Sequence, residues 1–440
     1  MAGLIRKRLT KNRLLTILLY LIVFYVLWGF IYRTTIYGSK SFQYAHLIVI
    51  FILSLYYISK HNKGKITNTC VVWIPYFVYT LGYLTFTLLF QSSNFILFVE
   101  WYICLFMMLI AVRSPLQNYI PSKFLFWSGV VAIIGIAIQA FLPGLYNSRI
   151  AGIFVTEESI LGWSYHDYGL CGFTSQVAIT ARILIYGEII LLFMKDILLP
   201  KQLQTKIYFY LLVYLFVFCV LLTGKRLLFL LAASLPFIIP LLSEKKFAER
   251  NFKFLIIVLL LIFAGEIFIS YIDYFMQTSL FRRIALTYAM AQQGEDITTG
   301  RIELYKKAWR AFQEYPIFGI GVGQFGSYAD VGHYVHNTYL QVLCEQGVVG
   351  FTLFVCSIIL SIRNTIMLLK KGKETNNLRF LKISLGIQLF YITYCFTGNE
   401  HSGAGLVMYF LAIAILVSVE LLNVRYRSRY KDENRNTYIS

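Results

Sequence analysis

VVWIPYFVYTLGYLTFTLLF, Val71 to Phe90, runs for twenty residues without one charged side chain. About 20 apolar residues, rising 1.5 Å each along a helix, cover the hydrocarbon core of a bilayer. A backbone in hydrocarbon must satisfy its own hydrogen bonds, and an unbroken apolar run does so as a helix, whereas a barrel strand alternates apolar with polar residues. Eleven further stretches read the same way: Leu14–Tyr32, Phe42–Ser59, Phe95–Val112, Phe124–Leu142, Leu170–Met194, Ile207–Leu222, Leu227–Leu242, Phe254–Ile272, Tyr339–Ile362, Ile383–Phe396 and Ala404–Leu422. The expected fold class is therefore all-α integral membrane, a polytopic bundle of about 12 transmembrane helices.

Composition agrees with this reading. With 58% apolar and 14% charged residues over 440 positions, and a mean hydropathy of +0.66, the chain cannot be solvated as a water-soluble globule. When the spans alternate from an inside N-terminus, 28 of the 40 Lys and Arg fall on inside segments, 11 fall outside, and Arg182 lies within a span. That asymmetry puts both termini in the cytoplasm. Leu14–Tyr32 is too long for a signal-peptide core and lacks a small-residue cleavage site, so it reads as the first span. The net charge of +19 is spread along juxtamembrane loops, as contact with anionic lipid requires, and nucleic acid is not an expected partner. Seven cysteines without a Cys-x-x-Cys pair offer neither a disulfide framework nor a metal site.

One large polar interruption, Asp273 to Asn337, divides the chain. Residues 1–272 hold nine spans with short loops, residues 273–337 form a large extracytoplasmic loop, and residues 338–440 hold three more spans and a basic tail. Within the loop, Ile302, Tyr305, Trp309 and Phe312 recur at helical spacing, which predicts an amphipathic helix from Arg301 to Tyr315 lying on the membrane, with Thr298 or Thr299 as N-cap. Pro316 ends it, and Pro316 to Gly323, with three glycines, reads as a flexible turn. Its Gly-x-Gly-x-Gly is weak as a nucleotide signature, because no strand–turn–helix unit surrounds it.

Several further residues stand out. Thr299-Gly300-Arg301, Trp309, Pro316 to Gly323, His336-Asn337-Thr338-Tyr339-Leu340 and Glu345-Gln346-Gly347-Val348-Val349-Gly350 together resemble the C-terminal signature of the bacterial O-antigen polymerase and ligase superfamily (Wzy/WaaL type). Leu222-Thr223-Gly224-Lys225-Arg226 is similar to that family's Thr-Gly-Ser-Arg-type turn, with Lys225 where a small residue is usual. Arg149, opening Arg149-Ile150-Ala151-Gly152, is similar to its Arg-x-x-Gly segment after the fifth span. The resemblance implies a GT-C-like membrane glycosyltransferase of the bacterial cytoplasmic membrane. Such an enzyme takes a glycan from an undecaprenyl diphosphate carrier and passes it to a hydroxyl on the extracytoplasmic side. A polymerase of repeat units for O-antigen, capsule or exopolysaccharide is the leading reading. The alternatives are a ligase acting on lipid A core and, from other classes, a flippase or secondary transporter, or a scaffold for an assembly complex. A chain-length regulator and a flippase are implied as partner proteins.

The residue types suit that chemistry. Departure of a diphosphate develops negative charge, and without a metal this calls for fixed cations, for which Arg226 and Arg301 are the candidates. His336 can deprotonate the acceptor hydroxyl or hydrogen-bond the diphosphate. Asn337 can cap the following helix or touch sugar. Arg149, Arg182, Glu400 and His401 complete the candidate substrate contacts, while Gly347 and Gly350 serve helix packing. His166, Asp167 and the pair Glu157 and Glu158 read as a solvated outer loop. No cofactor is expected, and with no acidic cluster outside, activity is expected to persist in chelator.

Overall fold

The computed structural model describes residues 2–27, 40–61, 64–90, 95–154, 169–243, 300–331, 334–372 and 375–437. Among them no strand forms. The principal helices are Ala2–Val26 (α1), Lys40–Lys60 (α2), Asn68–Phe90 (α3), Phe95–Ala111 (α4), Ser122–Phe141 (α5), Val177–Leu198 (α6), Lys206–Leu222 (α7), Arg226–Ser243 (α8), Arg301–Glu314 (α9), Thr338–Lys371 (α10), Thr375–Tyr394 (α11) and Gly403–Thr437 (α12). Among the described residues seven helices are long and apolar enough to cross a membrane, in α2, α3, α5, α6, α8, α10 and α12. Shorter apolar helices, Arg13–Val26, Phe95–Ala111 and Lys206–Leu222, coincide with three more expected spans. The expected span Phe254–Ile272, the loop residues 273–299 with both proposed N-caps, and the acidic loop with His166 lie outside the described residues.

The chain divides into two units. The first comprises Met1–Val26, Gln43–Pro121 and Leu304–Ser440, and the second Leu27–Phe42 and Ser122–Glu303. In the first unit α12 is innermost, packed by α1, α3, α4, α10 and α11. Trp73, Tyr76, Phe77 and Trp101 interlock with one another and with Phe410 of α12, mostly edge to face. Several polar groups inside this apolar body are paired, as burial favours. Glu420 accepts from the Thr69 hydroxyl at 2.8 Å, Trp73 donates to Ser361 at 2.8 Å, and Glu100 takes the Tyr25 hydroxyl and the Gly403 N–H. Pro75 removes one rung of α3, the bond that would reach the Val71 carbonyl, and one residue along, the Ser357 hydroxyl of α10 donates to the Val72 carbonyl at 3.0 Å and ties the two helices together.

In the second unit α5 and α6 approach through glycine. A Cβ on Gly129 or Gly187 would meet the Phe216 ring of α7 at 2.6 or 2.7 Å, and the other glycine's Cα at 3.2 Å. Small residues allow this approach where lipid supplies no hydrophobic drive between helices.

One boundary departs from expectation with a consequence. The apolar run from Leu170 suggested a helix there, but α6 begins at Val177, because side chains satisfy the backbone of the preceding loop. Gln139 accepts the N–H groups of Cys171 and Gly172 at 2.9 and 2.8 Å, and Thr180 donates to the Cys171 carbonyl at 2.7 Å. Arg182 therefore lies in the second turn of α6 instead of mid-span, and the fully buried Glu188 occupies the middle.

Candidate functional site

The described part of the polar loop folds onto the head of α10. Leu304, Tyr305, Ala308, Ala311 and Phe312 of α9 pack with Phe325, Val335, Leu340 and Cys344. The small Ala308 and Ala311 let the helix sit close. Lys307 donates to the Ala329 carbonyl at 2.9 Å. The Tyr328 hydroxyl donates to Glu314, and that bond pushes it up to about 12. The expected membrane-lying helix is thus corrected in one respect: Tyr305 and Phe312 face protein, leaving Ile302 and Trp309 exposed.

Pro316 to Gly323 is a pinned turn, not a flexible one. Val348 N–H donates to the Pro316 carbonyl at 2.9 Å, Val349 N–H to Ile317 at 3.3 Å, Ile320 N–H to Cys344 at 3.0 Å, and Gly321 N–H to Glu345 at 2.8 Å. Two glycines make this possible from opposite sides. A Cβ on Gly319 would lie 2.3 Å from the Glu345 carbonyl carbon, and one on Gly347 would lie 2.2 Å from the Ile317 oxygen. Both have left-handed backbones, φ 75° and 64°, which glycine adopts without strain. Gly347 also breaks α10, exposing the N–H groups that receive the turn. The buried Glu345 carboxylate completes the seam, accepting from Gly323 N–H at 2.9 Å, Phe325 N–H at 3.3 Å and the Gln341 amide at 3.2 Å. Sequence reasoning gave Glu345 no role. A carboxylate inside an apolar span was the signal, since such a group must find partners.

His336 sits at the mouth of this assembly, half-buried, with φ 58°. A left-handed histidine costs about 1–3 kcal/mol and persists only when its surroundings impose it. Three contacts do so. Asn337 caps α10, its side chain accepting from Leu340 N–H at 3.0 Å. Thr338 N–H donates to the Cys395 carbonyl at 2.8 Å. The buried Thr338 hydroxyl donates to the Gly398 carbonyl at 2.9 Å and accepts from Glu400 N–H at 2.8 Å.

Glu400 and His401 are each 1% exposed, inside the fold. His401 Nε2 lies 2.8 Å from the Tyr76 hydroxyl and 3.0 Å from the Gln346 amide nitrogen. The turn from Cys395 to His401 therefore grips the first stretch of α10 at both ends, Thr338 and Gln346. Burial holds the His401 imidazole down to about 3, so it is neutral at ordinary pH. The unfolded chain binds a proton there below about 6.5 and the folded chain does not until about 3. The folded state is thus expected to lose stability as pH falls from 6.5 towards 3. In melting curves across this range, His401→Gln should flatten the pH dependence; an unchanged slope would contradict the assignment.

The four arginines belong to the second unit. Arg226 is exposed as the first residue of α8, after the three-residue turn Thr223 to Lys225. Arg149 is exposed on a π-helical turn, Tyr146–Ile150, a feature frequent at functional sites. One loop knits both turns together. The Tyr146 hydroxyl donates to the Gly172 carbonyl at 2.5 Å, Leu170 N–H donates to Leu222 at 2.9 Å, and Gly169 (φ 116°) lies against the Thr223 carbonyl. Arg182 is half-buried below that loop, and Arg301 is the half-buried first residue of α9. Among the described residues no group of three or more His, Cys, Asp or Glu gathers.

Residues 211–355 match the family model described as O-antigen ligase (Wzy_C). No curated protein matches the chain.

Proposed function

We propose, from the match of residues 211–355 to the O-antigen ligase family model, that the chain is a member of the O-antigen polymerase and ligase superfamily and polymerises undecaprenyl-diphosphate-linked repeat units on the extracytoplasmic face of the bacterial cytoplasmic membrane, within a twelve-span body whose termini are both inside. It is a multi-pass membrane protein of a glycosyltransferase-like family. The observation that carries the proposal is the imposed left-handed backbone of His336 at the mouth of the matched segment. Strain of this kind is retained where a side chain must be held in one direction.

In the proposed reaction the acceptor hydroxyl of one lipid-linked repeat attacks the anomeric carbon of the growing chain. The bond from that carbon to the diphosphate oxygen breaks, the electron pair leaves with the diphosphate, and the hydroxyl proton passes to His336. Arg226 and Arg301 hold the charge that develops on the leaving group, with Arg149 and Arg182 on the carrier. Loss of one such contact costs about 2.7–4 kcal/mol of transition-state stabilisation. Asn337 orients the motif as a helix cap, and Glu400 and His401 support it from behind. A ligase would use the same donor half with lipid A core as acceptor.

Purified protein given a native lipid-linked repeat is expected to build a ladder on a gel, in chelator as in its absence, and Arg301→Ala is expected to lose it. A product only with lipid A core means ligase. Silence with both acceptors, or activity that a divalent metal must restore, overturns the proposal.

A further inference from the structure

Glu188 is 0% exposed, and neither of its carboxylate oxygens has a hydrogen-bond partner. Glu100, Glu345 and Glu420, buried in other apolar helices, each accept at least two hydrogen bonds. The contrast asks for a reason, because a buried polar group without partners is costly.

Its setting is dry. Glu188 stands eleven residues past Val177 and ten before Leu198 in α6, which leaves about 15 Å of helix on either side. Every residue from Ile183 to Leu191 is buried, so the helix is enclosed all round at this level. At the neighbouring Gly187 one added carbon would already meet Phe216 at 2.7 Å, and packing this tight has no room for a water.

Among the described residues no cation stands at the same depth. α6 packs on α5, α7 and α8 and on the short turn Lys201–Gln204. The titratable groups on these elements are Lys123, Lys201, Lys206 and Arg226, all exposed at the ends, the exposed Tyr208, Tyr210 and Tyr214, and the buried Cys219 thiol. On α6 itself Arg182 and Lys195 lie about 9 and 10 Å away along the axis. Arg182, six residues back, stands on another face. Lys195, seven residues on, turns its ammonium to the Phe209 ring, 4.8 Å from the centroid. Tyr186 is neutral and Asp196 is an exposed acid. An ionised carboxylate here would have neither counter-charge nor solvent, and a group so placed is neutralised instead.

We propose that Glu188 is a proton-binding site: in the folded protein it is a neutral carboxylic acid, free of hydrogen bonds, at mid-span in the second unit. The bound proton is what lets α6 pack on every side at this level. The transfer proposed above makes no use of this group, so the inference stands independently of that reaction.

Infrared spectra of the full-length protein in lipid nanodiscs, wild type minus Glu188→Gln, test this near neutral pH. A free acid carbonyl absorbs at higher frequency than a hydrogen-bonded one, and an ionised carboxylate absorbs lower still. The expected difference is one positive band at the free-acid position, with no carboxylate bands. An amide is as neutral as the acid, so Glu188→Gln should also melt with the wild type. Glu188→Met, apolar and of similar length, gives the same comparison should the amide variant be poorly made. Carboxylate bands in the difference overturn the proposal. An acid band at the hydrogen-bonded position also overturns it, since water or a polar side chain then reaches the group. A marked fall in melting temperature in both variants would reveal the loss of one partner of an ion pair, and that too overturns it.

Discussion

Alanine at His336 is expected to lower glycan transfer by about 10²–10⁴-fold, the usual contribution of a positioned acid or base, while leaving the protein folded. The backbone there is left-handed, φ 58°, and glycine occupies that region at no steric cost whereas alanine does not. His336→Gly should therefore be as inactive as His336→Ala yet melt at a higher temperature, because it keeps the loss of the imidazole and relieves the strain. Such a split, activity lost while stability is gained, marks a residue retained for function. Thr338 extends the test. Its hydroxyl holds the segment through Gly398 and Glu400, so Thr338→Val should reduce the turnover number, with Thr338→Ser restoring it. In a His336→Ala background Thr338→Val should cost nothing further, since residues that act as one unit are non-additive. A full additional loss would mean that Thr338 serves only the fold. Equal melting temperatures for the glycine and alanine variants would mean that position 336 is unstrained.

Gly347→Ala is expected to disrupt the first unit severely. The new Cβ would stand 2.2 Å from the Ile317 oxygen and 2.6 Å from the Phe318 nitrogen, backbone on both counts, and its φ of 64° adds roughly 1 kcal/mol of strain. Backbone cannot rotate away as a side chain can, so the turn must lift. The bonds from Val348 and Val349 to Pro316 and Ile317 then break. The expected result is little folded protein in detergent, or protein in which a protease cuts between Tyr315 and Gly323 where the wild type resists. Gly152→Ala is the control, since a Cβ there meets nothing within 4 Å. Wild-type protease resistance and melting in Gly347→Ala would refute the interlock.

Residue type foretold some of these roles and not others. Gly350 is readable as a packing glycine from its place in an apolar helix, and Tyr79 of α3 lies against it, whereas Gly347 breaks its helix to meet Ile317, thirty residues away, which no local pattern shows. Asn337 was readable as a cap, since an Asn before an apolar periodic run has one common use. Three glycines at the Pro316 turn suggest flexibility, but they raise chain freedom only until tertiary bonds remove it. Arg182 lies nearer the helix end than the apolar run suggests, because apolarity alone cannot tell a helix from an apolar loop whose amides a distant Gln139 satisfies.

What the amino-acid sequence determined by itself was the solvent and the class: apolar runs of bilayer length leave helices as the available spanning form, and the family signature lies within residues that are nearly contiguous. Tertiary structure alone decided the strain at His336, the neutral buried His401 between Tyr76 and Gln346, the Glu345 seam and the interlock of the Pro316 turn with Gly347. Each depends on groups far apart in the chain, and hydrogen bonding and steric exclusion act over a few ångströms of space whatever the separation along the sequence.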